Sequence, residues 1–195
     1  MNENILNTVS SITGLRDETI REGMSPAEKI IERPDFLNAL LTPVSEWAAG
    51  HPTFYHHIGI TYPDNKSFEE ATGQFGDKLI ANNLVAGGVT HFRRYLRIPV
   101  EGGQDIFVEF HRAGKEGNGV RGMHLDFVTD DPQGLLDKLL ESANSAADSL
   151  GAKVVTRNFG GGNNPVAKVG LQAKDDPNFE VAVMARTHWS DPKDW

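Results

Sequence analysis

The sequence predicts an α+β protein: a helical N-terminal segment, then one strand–helix–strands unit that occurs twice. Three observations predict it. Apolar residues recur every three or four positions up to Gly50 and every second position from Tyr55 on, so the chain changes from a helical to an extended period. From Tyr55 a strand, an amphipathic helix and further strands follow one another, and from Met123 the same order returns. The two opening strands also overlay residue by residue, His57-Ile58-Gly59-Ile60-Thr61-Tyr62-Pro63-Asp64 on His124-Leu125-Asp126-Phe127-Val128-Thr129-Asp130-Asp131, with His on His and Asp on Asp.

The helical segment occupies residues 1–54. Ile5, Val9 and Ile12 lie near helical spacing before Gly14, and Ser25-Pro26-Ala27-Glu28 has the form of a capping box that opens a helix through Ile30 and Ile31. Asp35 is placed to cap the next helix, whose Leu37, Leu40, Leu41, Val44, Trp47 and Ala48 form one stripe. Pro43 is expected to kink or split it, and Gly50 to end it.

The first unit spans residues 55–113. His56 to Tyr62 alternates as a strand, with Ile58, Ile60 and Tyr62 on one face and His57, Gly59 and Thr61 on the other. Ser67-Phe68-Glu69-Glu70 predicts a helix cap, and Phe68, Ala71, Phe75, Leu79 and Ile80 a shared helical face. His91 to Val100 and Asp105 to His111 alternate as strands around a Gly102-Gly103 turn. The second unit spans residues 120–188. Met123 to Thr129 is a strand, and Leu135, Leu136, Leu139, Leu140, Ala143, Ala146, Ala147 and Leu150 make the clearest helical stripe in the chain. Strands follow at Lys153 to Phe159, Val166 to Ala173 and Phe179 to Arg186. The Gly160 to Asn164 run lacks the Lys and Ser/Thr of a phosphate loop and precedes a strand, so it reads as a turn.

Composition narrows the chemistry. No apolar run approaches the roughly 20 residues of a membrane-spanning helix, and Met1-Asn2-Glu3-Asn4 has the wrong polarity for a secretion signal, so a cytoplasmic protein is expected. The 19 Lys and Arg against 27 Asp and Glu leave a net charge of −8, which disfavours nucleic acid and anionic lipid as general partners. With no cysteine there is no thiolate nucleophile, zinc finger or iron–sulfur cluster, and any metal must be held by nitrogen and oxygen.

A His opening a strand, an Asp-bearing turn, an amphipathic helix and a closing strand bearing Glu together resemble the vicinal oxygen chelate superfamily, over about residues 55 to 188. The resemblance implies two βαβββ modules forming one cup-shaped mixed sheet, and a divalent metal (Fe, Mn, Ni, Zn or Co) held by the first and last strands of both modules. Carried over, the ligands would be His57, Glu109 and His124. Glu180 would be the fourth, although it falls two residues earlier in its strand than Glu109, where Ala182 is the closer counterpart. Alternation agrees on orientation: Ile58, Ile60, Leu125 and Phe127 suit packing under helices, which turns His57 and His124 into the cup.

Such a metal can polarise a carbonyl or enediolate, and Glu109 or Glu180 could serve as the base. His91, Arg93, Tyr95 and Arg97 alternate onto one strand face that either lines the cup and binds an acidic ligand or is solvated. His111 reads as a rim residue, His51 and His56 as loop or helix-facing residues, and His188-Trp189 as closing the cup or packing the C-terminus. Two functions follow: a metal-dependent glyoxalase- or dioxygenase-like enzyme acting on a small oxygen-rich molecule, or a metal-free small-molecule binding protein on the same fold. A third reading is a structural or regulatory domain whose N-terminal helices cover one side of the sheet or a partner chain, as in a homodimer.

Overall fold

The computed structural model describes residues 33–62, 64–81, 83–86, 89–102, 105–112, 122–159, 166–173 and 178–185. The expected helices around Ile5 to Ile12 and Ser25 to Ile31, the Gly160 to Asn164 turn and His188-Trp189 lie outside them. In chain order the elements are α1 (Pro34–Ala48), β1 (Thr53–Tyr62), α2 (Asn65–Gly73), a short 3-10 turn (Gly76–Lys78), β2 (Leu79–Ala81), β3 (Leu84–Ala86), β4 (Val89–Ile98), β5 (Ile106–Arg112), β6 (Gly122–Thr129), α3 (Pro132–Ala147), β7 (Ala152–Phe159), β8 (Val166–Ala173) and β9 (Asn178–Ala185). Among the described residues no helix is long and apolar enough to cross a membrane.

The strands form one mixed sheet in the order β2-β4-β5-β1-β6-β9-β8-β7, with β3 also paired to β4. Each unit is built the same way: its first strand lies parallel to its last, β1 to β5 and β6 to β9, and the other strands follow outward. The two first strands pair antiparallel at the centre, joining the halves about a local two-fold. All three helices lie on one face. There Phe36, Leu40, Trp47, Ile60, Tyr62, Phe68, Val108, Phe110, Leu135, Leu139, Leu171, Phe179 and Val181 form the core, and the other face is the inside of the cup.

Helix α1 starts two residues earlier than an Asp35 cap would allow. Pro34 takes the first helical position, where its missing N–H costs nothing, so Arg33 becomes the cap residue and Asp35 pairs with it at 3.1 Å. Pro43 does not split the helix either. A proline at that position leaves the carbonyl of Ala39 without its helical donor, and the Ser142 hydroxyl of α3 donates to that carbonyl at 2.7 Å. Ser142→Ala should therefore lower stability by about 1 kcal/mol in denaturant unfolding. An unchanged midpoint would show that the orphaned carbonyl finds another donor.

The first unit departs from its expected boundaries. Asp64, not Ser67, caps α2: its carboxylate accepts from the Ser67 N–H at 2.7 Å and from the Ser67 hydroxyl at 2.8 Å. The helix ends at Gly73, and Gly76 turns the chain at φ 58, a conformation glycine adopts without strain. Leu79 and Ile80 then leave the helical stripe and pair as β2 with Leu96 and Tyr95. With β1, β4 and β5, this short strand completes the four strands of the first βαβββ unit. Arg94 ties the layers together: its Nη2 donates to both carboxylate oxygens of Glu69, at 2.8 and 2.9 Å, and its Nη1 to the Thr72 hydroxyl.

Candidate metal centre

Four buried polar side chains converge on the cup floor from the three central strands. His57 comes from β1, Glu109 from β5, and His124 and Asp126 from β6. All are between 3% and 6% exposed. The strand pleat brings them together: Gly59 lies opposite both Glu109 and His124, and His57 lies opposite Asp126. Gly59 is required for this. A Cβ there would fall 1.9 Å from His124 Cε1 and 2.0 Å from its Nε2, so the imidazole occupies the space that any other residue would fill.

His57 Nε2 is 3.0 Å from Glu109 Oε2, 3.3 Å from His124 Nε2 and 3.5 Å from Asp126 Oδ2. His124 Nε2 is 3.3 Å from Glu109 Oε2 and 3.7 Å from Asp126 Oδ1. Ligand atoms about 2.0–2.2 Å from one divalent ion stand roughly 3.0–3.5 Å from each other, so these separations suit a shared cation. The donor balance points the same way. Asp126 Oδ1 is buried and has no hydrogen-bond partner among the described residues, and the Lys168 ammonium is 4.0 Å from it. Two imidazoles and two carboxylates in a dry site carry more lone pairs than nearby protons, a deficit a cation fills. The chain thus holds a possible His57–His124–Asp126 metal site, with Glu109 adjoining it.

The environment drives the two imidazoles apart. Burial opposes charging of His57, but the Asp126 and Glu109 carboxylates outweigh it and hold its pKa above the ordinary value. His124 is held below its ordinary value by burial and the neighbouring Lys168. For Glu109 burial acts to raise the pKa, yet the hydrogen bonds with His124 and His57 keep it well below the usual carboxylate range.

The structure thus gathers His57, Glu109 and His124 from the sequence reading. Tyr95 also lines the cup: its buried hydroxyl donates to Glu109 Oε1 at 2.9 Å, leaving Oε2 toward the histidines. Arg93 stands 3.7 Å from the same Oε1. Arg97, expected beside them, is half exposed and pairs with Asp105. Glu180 is buried on the same sheet as a neighbour of His124 in register, and Arg157 approaches it to 3.0 Å. That pair closes over Gly170, where a Cβ would fall 2.6 Å from Glu180 Cγ. Ala182, opposite Asp126, is the register counterpart of Glu109.

Two residues were missed or misplaced. Asp126 shares the face of His124 two residues on, and a carboxylate on that face of an apolar strand was its signal. His56, expected to face a loop or helix, is 3% exposed and its Nδ1 lies 2.8 Å from His57 Nδ1. A bulge in β1 between Tyr55 and His57 puts it there. His51 stacks on Trp47 with ring centroids 3.8 Å apart. The side chain of His91 lies outside the described residues.

Two βαβββ units share one strand order, and both first strands aim a histidine into one cup at their common seam. The chain has the fold of two paired βαβββ modules around one cup-shaped mixed sheet that the resemblance to the vicinal oxygen chelate superfamily implied. No protein-family model matches the chain, and no curated protein matches it. Among solved structures it is similar to methylmalonyl-CoA epimerase from Mycobacterium tuberculosis, at 16% identity over 68% of this chain and 89% of that one, TM-score 0.37. A variant of the Streptomyces coelicolor methylmalonyl-CoA epimerase, in complex with 2-nitronate-propionyl-CoA, is similar at 18% identity over 70% and 96%, TM-score 0.36. The halotolerant catechol dioxygenase BphC is similar at 13% identity over 70% of this chain and 43% of that one, TM-score 0.34.

Proposed function

We propose that this chain is a divalent-metal-dependent enzyme of vicinal oxygen chelate type, acting on a small oxygen-rich molecule by isomerase, lyase or dioxygenase chemistry. The observation that carries the proposal is the acceptor-rich cluster of His57, His124, Glu109 and Asp126, with Asp126 Oδ1 buried and unpaired among the described residues. These four residues would hold the ion, which could be Fe, Mn, Ni, Zn or Co. When bound, it supplies Lewis acidity to a carbonyl or enediolate oxygen.

The chain's own residues divide the remaining work. Tyr95 anchors Glu109 Oε1, so the carboxylate is held in one orientation, and its low pKa keeps it ionised as a proton acceptor near neutral pH. Arg93, partly exposed beside Glu109, offers its guanidinium to an acidic group of the substrate. Arg97, paired with Asp105, and Glu180, paired with Arg157, are assigned to the flanks of the cup.

A metal-free binding protein is the second reading. It is favoured by the hydrogen bonds that already join His57 and Tyr95 to Glu109. Metal analysis of untagged protein, with His57→Ala/His124→Ala alongside, separates the two. We expect roughly one ion per wild-type chain and none in the double variant, with the circular dichroism of the sheet retained. Wild-type protein that takes up none of the five metals would leave the binding-protein reading in place.

A further inference from the structure

The pair formed by His56 and His57 goes beyond the ligand set. Their Nδ1 atoms are 2.8 Å apart and both rings are buried, inclined at 65°. Two imidazole nitrogens at that distance share a single proton: one ring donates it and the other accepts it. Which ring donates decides what the other end of His57 can do. A neutral His57 that accepts at Nδ1 carries its proton on Nε2, where it can donate to Glu109 Oε2 but cannot ligate a cation. A neutral His57 that donates from Nδ1 has a bare lone pair on Nε2, facing His124 and the carboxylates.

Resting on the metal-centre reading above, we propose that His56 is the positioning residue of the site: its Nδ1 accepts the His57 Nδ1 proton and so fixes the tautomer in which His57 Nε2 can ligate. The bulge between Tyr55 and His57 is what makes room for this second ring beside the first. Using an imidazole here rather than a carboxylate has an electrostatic reason. Glu109 and Asp126 already offer two negative charges, which balance one divalent cation, and a neutral acceptor orients His57 without adding a third charge to a dry site.

The test compares Zn2+ affinity, by competition with a chromogenic chelator, in wild type, His56→Phe, His56→Ala and His56→Asn, and follows the ring nitrogens of His57 by 15N NMR in Zn2+-loaded protein. Loss of the acceptor in His56→Phe and His56→Ala should weaken binding by about 10- to 100-fold. His56→Asn, whose side-chain oxygen can accept the same proton, should recover most of that loss. Wild-type His57 should show a protonated Nδ1 with a slowly exchanging proton, and that protection should disappear in the Phe and Ala variants. Equal affinity in all four proteins, or a His57 Nδ1 proton equally protected without His56, would overturn the proposal while leaving the metal centre intact. Failure of the wild-type chain itself to bind Zn2+, Co2+, Ni2+, Mn2+ or Fe2+ would instead overturn the metal-centre reading and this proposal with it.

Discussion

Gly59→Ala is expected to abolish metal uptake although it touches no ligand by name. The added methyl would sit 1.9 to 2.7 Å from three atoms of the His124 ring, and β1 is hydrogen-bonded to β5 on one side and β6 on the other, so the backbone has little freedom to withdraw. The imidazole must rotate off the cup floor, removing one nitrogen from the cluster. We expect at least about a 100-fold loss of metal affinity, together with roughly 1–3 kcal/mol of destabilisation from overpacking. Adding His124→Ala to Gly59→Ala should relieve the overpacking and restore part of the stability without restoring metal. Wild-type affinity in Gly59→Ala would mean that His124 is not a ligand.

Metal affinity should also rise steeply with pH while, above the unfolded histidine value of 6.5, the stability of the metal-free chain falls. Below its raised pKa, His57 is protonated and paired with Asp126 and Glu109, and a cation must displace that proton. Affinity should therefore climb about tenfold per pH unit below the folded-state pKa of His57 and level off above it. In the metal-free chain the same proton stabilises the fold. A group whose pKa is raised on folding contributes fully below its unfolded value of 6.5 and loses that contribution as pH rises through the folded value. The carboxylates behave in the opposite sense: Glu109 and Asp126 titrate low in the fold, so they stabilise above their ordinary values and lose the effect in acid. Thermal melts with chelator and with Zn2+ across neutrality read both trends, and a metal-induced shift that does not grow with pH would contradict the protonation of His57.

Much of this site could be read along the strands. Alternation at His57 to Tyr62 and Met123 to Thr129 placed both histidines opposite the apolar face that helices cover, and the same rule put Glu109 in the cup, while the face of Tyr95 stayed open between cup and solvent until the hydroxyl was found on Glu109. The α3 stripe likewise appears as the buried Leu135, Leu139, Ala143 and Ala147. Where two periods coincide, the reading failed. Leu79 and Ile80 fit the spacing of the α2 stripe, yet the left-handed turn at Gly76 releases them to pair with β4. Arg97 obeys the alternation of Arg93 and Tyr95 but lies toward the sheet end, where Asp105 captures it.

By itself, then, the sequence determined the α+β class, the repeated unit and the shared face of His57, Glu109 and His124, because periodicity is set by neighbours two to four positions apart in the chain. Only the tertiary structure decided that Asp126 stands with the histidines, that Arg157 takes Glu180, that a bulge presents His56 to His57, and that Gly59 vacates the space for His124. These depend on which residues of separate strands come to lie opposite one another. Cross-strand register is fixed by packing and hydrogen bonds between segments far apart in the chain, and the local pattern of a strand is unchanged by what its partner places across from it.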